Sequence, residues 1–313
     1  MRPIVVYLKY LVPPILSYRM QAREEKLKTL INWAKNTGDI RVVLLTSSLV
    51  NPLAPVDEFS DLDIELVFEN SAEYVSDNNW IRNFGHPIAM IEEDETCFNG
   101  KHAMKMVLYD DYVKVDFKLY GKSHFLKEVN LNELPEDWDI GYKVLIDKDG
   151  LTQNLKKPSY EVSIIKKPTQ EKFSQLLNDF WWDTTYVAKC LARDELFYAK
   201  FMSENNIRNG YLITLLEWYI ASEHDWKITT NKFGRLFKKY LTPEMWEKTE
   251  QTFSGSSIED NWNALFAMAD LVSETGTQLS QKLGYSYPAR LEADIRCYLN
   301  KLRPGPKPLP SSG

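Results

Sequence analysis

Three aspartates with alternating neighbours are the residues of this chain best spaced to do chemistry. Asp61-Leu62-Asp63-Ile64-Glu65-Leu66-Val67-Phe68 alternates acid and apolar residues in its first half. A strand has a side-chain period of two, so Asp61, Asp63 and Glu65 point one way and Leu62, Ile64, Leu66 and Phe68 the other. Carboxylates two positions apart lie roughly 6–7 Å from each other along a strand, near enough to share one divalent ion or a pair of them. A second alternation runs through residues 112–120. It puts Val113, Val115, Phe117 and Leu119 on one face and Lys114, Asp116 and Lys118 on the other. If the two strands share a sheet with their polar faces together, Asp116 joins Asp61 and Asp63. The three then make a hard-oxygen site suited to magnesium and a nucleotide triphosphate. An alternating strand with its acids outside is otherwise just a solvated sheet face. Glu65, further along the same face, reads as a solvated acid, with a general base as the alternative.

The elements that must position these residues are legible in outline. Leu27, Leu30, Ile31 and Trp33-Ala34 recur at helical spacing over residues 21–36, and Thr37-Gly38-Asp39 ends that helix. Residues 41–46 read as a buried strand. It runs into the small hydroxylated residues Thr46, Ser47 and Ser48, which precede the acid pair by a short loop. A short strand is expected at residues 88–91. Strands at 103–109 and 112–120 flank Asp110-Asp111, a hairpin turn. The result is a mixed sheet with helices on it, an α+β layer. From Thr169 onward the pattern is helical, with helices expected near 169–191, 207–222 and 258–282, together a helical bundle. Lys156-Lys157-Pro158 and Lys166-Lys167-Pro168 punctuate the linker between the two parts.

The ordered set of motifs resembles the aminoglycoside 6-adenylyltransferases, or streptomycin adenylyltransferases, of the nucleotidyltransferase superfamily. The resemblance runs from about Met20 to about Arg296. It rests on Ser47-Ser48-Leu49-Val50-Asn51, Asp61-Leu62-Asp63-Ile64 and Lys114-Val115-Asp116, followed by Lys143–Asp149, Phe180-Trp181 and Thr185-Tyr186-Val187-Ala188-Lys189. Further on it includes Leu191-Ala192-Arg193-Asp194-Glu195, Trp246-Glu247 and Tyr285-Ser286-Tyr287-Pro288. Two departures fall at the site: Ser47 stands where the family has glycine, and Leu49 where it has arginine. The resemblance implies a nucleotidyltransferase-type domain over residues 20–155 and a helical substrate-binding domain over 156–302. It implies an enzyme moving AMP from ATP to a hydroxyl of a streptomycin-like aminoglycoside, with Mg2+, releasing pyrophosphate. Asp61, Asp63 and Asp116 would be the catalytic and metal-holding residues, and Ser47 and Ser48 would donate to the β- and γ-phosphates; the alternative is that one or both merely end a strand. Lys189, if its helix faces the cleft, would reach the phosphates as well; the alternative is a solvated helix face. Two other functions stay open: a nucleotidyltransferase for a different small-molecule or protein hydroxyl, and a non-catalytic nucleotide-binding protein.

Composition narrows the classes. A chain of 313 residues can bury one large core or two ordinary ones. A net charge of −6 argues against nucleic acid as a partner and suits a cationic small acceptor. The expected assembly is a monomer or dimer. Cys97, Cys190 and Cys297 lie far apart and read as reduced, mostly buried thiols of a cytoplasmic protein. His86, His102, His124 and His224 show no zinc spacing. Residues 1–19 are apolar but broken by Lys9 and Pro13-Pro14, too short for a membrane span. They read as an N-terminal extension, as from a translation start placed too early; the alternative is an arm that packs on the body. Residues 303–313 read as a disordered Pro-rich tail.

Overall fold

Among the described residues, aliphatic and branched runs separated by turn residues become six strands, preceded by a long helix. The computed structural model describes residues 12–303. Residues 1–11 of the expected extension and 304–313 of the expected tail lie outside them. The architecture is α+β, and the chain divides into two compact units between Ser163 and Ile164.

In the first unit α1 (Val12–Asn36) leads into β1 (Ile40–Thr46), β2 (Leu62–Phe68), β3 (Pro87–Glu93), β4 (Ala103–Tyr109) and β5 (Lys114–Gly121). After β5 come α2 (Lys122–Val129) and β6 (Tyr142–Asp147). The helix begins at Val12, well before the expected residue 21. Pro13 and Pro14 fall in its first turn, where backbone N–H groups have no intrahelical partner and proline costs nothing. The strands lie in the order β3-β4-β5-β2-β1-β6. Every neighbouring pair is antiparallel except β2 and β5, which run parallel with Asp63 opposite Asp116.

The strand expected to start at 112 starts at Lys114, because Tyr112 is in the turn with a φ of 62°. Tyr112 donates its N–H to the Tyr109 carbonyl at 2.9 Å and closes that turn. The edge strand β6 was not expected. Lys143 and Val144 are both exposed, so its sequence carries no two-residue period.

The two sheet faces differ. One packs Val43, Leu45, Ile64, Leu66, Val115 and Phe117 against Leu30 and Ala34 of α1 and against Trp80 and Phe84. On the other, Val42, Leu44, Val67 and Tyr120 are covered by Phe125 and Val129 of α2 and by Trp138. This second face carries Asp61, Asp63 and Asp116 at the end away from Val67.

The second unit is helical. Thr169 caps α3 (Gln170–Ala192), its hydroxyl accepting from the Lys172 N–H at 3.2 Å. The helix expected at 207–222 belongs to a longer run. Leu196–Phe201 passes into a wide π-helical stretch, Met202–Leu212, and then into α4 (Ile213–Glu223). The long helix α5 (Ile258–Leu283) is capped by Ser257 and followed by Gly284 at a φ of 70°. A further helix, α6 (Ala289–Leu302), was not expected. Phe180, Trp181, Trp262, Leu265 and Leu299 are among the residues of the shared core.

The cysteines need correcting. All three are free, but only Cys190 is buried; Cys97 and Cys297 are exposed. Among the described residues no helix is long and apolar enough to cross a membrane.

Candidate active site

The site is built where β1 ends and β2 and β5 begin. Thr46, the last residue of β1, is buried, and its hydroxyl reaches the Asp63 carbonyl at 3.5 Å. The chain then turns through Ser47 at a φ of 65° into the 3-10 turn Ser47–Val50. That left-handed conformation favours glycine, the residue the family resemblance expects there. Ser47 donates its N–H to the Gly141 carbonyl at 3.2 Å, and its hydroxyl bonds to Asp63. Gly141 takes a φ of 143°, and a Cβ there would lie 3.1 Å from the Val50 carbonyl oxygen. Only glycine lets the two backbones approach this way, so Gly141 fixes the turn. Leu49 does not carry a charge into the site. Its half-buried side chain packs on the apolar core of the first unit.

Parallel pairing brings the acids together. Asp63 and Asp116 are directly opposed on β2 and β5, and Asp61 sits just before β2 on the same face. Among them lies Lys114, a residue to which the sequence assigned no role. Its ammonium donates to Asp116 Oδ2 at 2.8 Å and to Asp61 Oδ2 at 3.3 Å. The signal was present: the Lys114-Val115-Asp116 alternation already placed it on the acid face.

The electrostatics follow from crowding. Burial, then the charges of Asp116 and Asp61, push the Asp63 carboxyl up to about 6. Lys114 and the Ser47 hydroxyl oppose that rise. Burial works to lower the Lys114 pKa, but the hydrogen bond and charge of Asp116, with those of Asp61, outweigh it and leave it raised.

Glu65 is not the solvated acid expected. It is fully buried, accepting from Trp138 Nε1 at 2.7 Å, with Lys118 Nζ 3.5 Å away. Lys118 also donates to Asp137 at 2.6 Å. Burial raises the Glu65 pKa against the pull of Lys118 and Trp138. Lys189 lies in the second unit near the end of α3, its ammonium 4.2 Å from the centroid of the Tyr186 ring.

The donor chemistry fits a divalent cation: three carboxylates face one another, and Asp116 Oδ1 is buried and accepts no hydrogen bond. As the side chains stand, with Lys114 among them, no three His, Cys, Asp or Glu residues in the described chain are gathered to hold a metal ion.

A mixed sheet with acids opposed on neighbouring strands and a hydroxylated turn beside them is the architecture of a nucleotidyltransferase. The family model for streptomycin adenylyltransferase matches residues 20–302. The chain belongs to that family and is an enzyme of the nucleotidyltransferase type. An aminoglycoside 6-adenylyltransferase of Bacillus subtilis (strain 168) is 29% identical over 277 residues, covering 86% of this chain and 94% of that one. One of Campylobacter jejuni is 29% identical over 275 residues, covering 86% and 92%. A crystal structure of an aminoglycoside 6-adenyltransferase from Bacillus subtilis aligns over 90% of this chain and 98% of its own, at 25% identity and a TM-score of 0.43.

Proposed function

We propose that this enzyme moves AMP from ATP to a hydroxyl of a streptomycin-like aminoglycoside and releases pyrophosphate, with Mg2+. The observation that carries the reading is the family match over residues 20–302 joined to the opposition of Asp63 and Asp116 beside Asp61. The names of the relatives point to the 6-hydroxyl as the acceptor. Residues 20–155 would handle the nucleotide and 156–302 the acceptor. A reaction that consumes ATP belongs in the cytoplasm.

Phosphoryl chemistry asks the protein mainly to position groups and balance charge. Asp61, Asp63 and Asp116 would hold the metal, which when bound supplies positive charge against the triphosphate. Ser48 would donate to the β- and γ-phosphates, and Ser47 would exchange its bond to Asp63 for the same purpose. Asp116 Oδ1, buried and unpartnered, would accept the proton of the attacking hydroxyl. The hydroxyl oxygen bonds to the α-phosphorus as the bond from that phosphorus to the bridging oxygen breaks. Pyrophosphate leaves with that electron pair, and the proton passes from Asp116 to solvent.

A different acceptor hydroxyl is the second reading, favoured by Leu49, which packs on the core where the family resemblance expects an arginine. Pyrophosphate release with Mg-ATP and streptomycin, with a product heavier by one adenylyl group, tests the first. Asp61→Asn and Asp63→Asn should each abolish that turnover with the circular dichroism spectrum unchanged. Release only with other acceptors supports the second reading, and failure to bind Mg-ATP overturns both.

A further inference from the structure

We propose that Lys114 is an exchangeable counter-cation of the site: its ammonium neutralises the carboxylates until a divalent ion takes its place. The inference rests on the proposed role of Asp61, Asp63 and Asp116 in holding metal. One ammonium is bonded to two of the three carboxylates, through Oδ2 of Asp116 and Oδ2 of Asp61. With it there, the acids are not gathered around any point where a metal could sit, yet the second oxygen of Asp116 is buried and unused. A magnesium ion needs carboxylate oxygens at about 2.1 Å. An ammonium hydrogen-bonded to the same oxygens would then lie within a few ångströms of a dication, where like-charge repulsion is strong. The two cations therefore exclude each other.

The side chain is free to leave. Lys114 is 37% exposed, against 13% for the Asp116 side chain it holds. Lys118, two residues on along the same face, makes the contrast. It is 18% exposed and tied to both buried Glu65 and Asp137, a fixed partner rather than an exchangeable one. Lys114 thus keeps the acids compatible by its bonds to Asp116 and Asp61, and yields to the metal that arrives with the nucleotide.

Isothermal titration of Mn2+ into the full chain tests this, with wild type, Lys114→Met and Asp63→Asn side by side and no nucleotide present. Removing the competing charge should tighten Mn2+ binding about tenfold in Lys114→Met. Asp63→Asn should weaken it. Equal or weaker binding by Lys114→Met overturns the counter-cation while leaving the metal site standing. No binding by either wild type or Lys114→Met overturns the metal reading and this inference with it. A second measurement needs no variant: acetylation of Lys114 in the wild-type protein, followed by mass spectrometry, should speed up when Mn2+ is added. An unchanged or slower rate overturns the exchange.

Discussion

Asp63→Asn should make the protein more stable while stopping its proposed chemistry. Burial and the charges of Asp116 and Asp61 lift the Asp63 carboxyl from 3.8 to about 6. Each pKa unit is worth about 1.4 kcal/mol, so the ionised carboxylate costs the folded state about 3 kcal/mol. Between those two values the folded protein holds a proton that the unfolded chain has released. Stability therefore falls as pH rises through that window, and the whole cost is carried above the upper value. Asparagine has no charge to desolvate, and its side-chain oxygen can still accept from Ser47. The gain should be about 2–3 kcal/mol at pH 8, roughly half that at pH 5, and absent below about pH 3.5. For a unit of this size that is a rise in melting temperature of roughly 5–10 °C. The assay is thermal melting in EDTA across that pH series. Adding Mg2+ should narrow the difference, because the metal stabilises wild type in preference. A variant no more stable than wild type at pH 8, or a gain that shrinks as pH rises, would refute this account of the site.

Other perturbations follow from the same geometry. Trp138→Phe removes the 2.7 Å bond to buried Glu65 and should cost about 2 kcal/mol in urea denaturation; a loss below about 0.5 kcal/mol would show the bond to be idle. Ser47→Gly trades relief of a positive φ against extra chain freedom in the unfolded state, so its melt should stay within about 0.5 kcal/mol of wild type. Ser47→Val, branched at that φ, should lose more than about 2 kcal/mol, and equal melts for the two would contradict the left-handed turn. A chain starting at Met20 loses the 2.8 Å bond from Arg19 to the Tyr112 carbonyl and its stacking on Phe59. These contacts are exposed, so the loss should be about 1 kcal/mol, and a drop beyond about 3 kcal/mol would mean that the first turns of α1 anchor the unit.

The acid-bearing strands were legible because their alternation has one physical cause: one face meets the core and the other does not. Leu62, Ile64, Val115 and Phe117 gave the inward face, and Asp61, Asp63 and Asp116 followed. The same rule failed at Glu65. Periodicity tells which face a residue is on, not what covers that face, and Trp138 lies 73 positions further along the chain, in the short helix Glu136–Asp139. Strand β6 was missed because both sides of Lys143-Val144 are open to solvent, so burial wrote no period into it. The π-helical stretch was missed because a 3.6-residue period does not detect wide turns, and Arg208 holds it by bonds to Glu204 and to Thr252 far along the chain. Gly141 gave no local signal at all, since its importance lies in the approach of Val50. Lys114 was visible by position, but the pairing it makes depends on a parallel register that spacing does not reveal.

That parallel register bears on how the molecule folds. Lys114 and Asp61 are 53 positions apart in sequence, and the strands between them form antiparallel neighbours through much shorter loops. Closing a loop of that length costs roughly 3.5 kcal/mol of chain entropy beyond a constant, so β3, β4 and β5 should associate before β2 docks. If β2 docks past the rate-limiting barrier, the carboxylates meet only after it has been crossed. Their mutual repulsion would leave the refolding rate nearly untouched and appear almost wholly in the rate of escape from the native state. Stopped-flow chevrons of Asp63→Asn should accordingly show an unchanged folding arm and an unfolding arm shifted down by the full stability difference. The cluster of like charges would act as a timer on native-state lifetime, set by pH and by whichever cation sits among the acids.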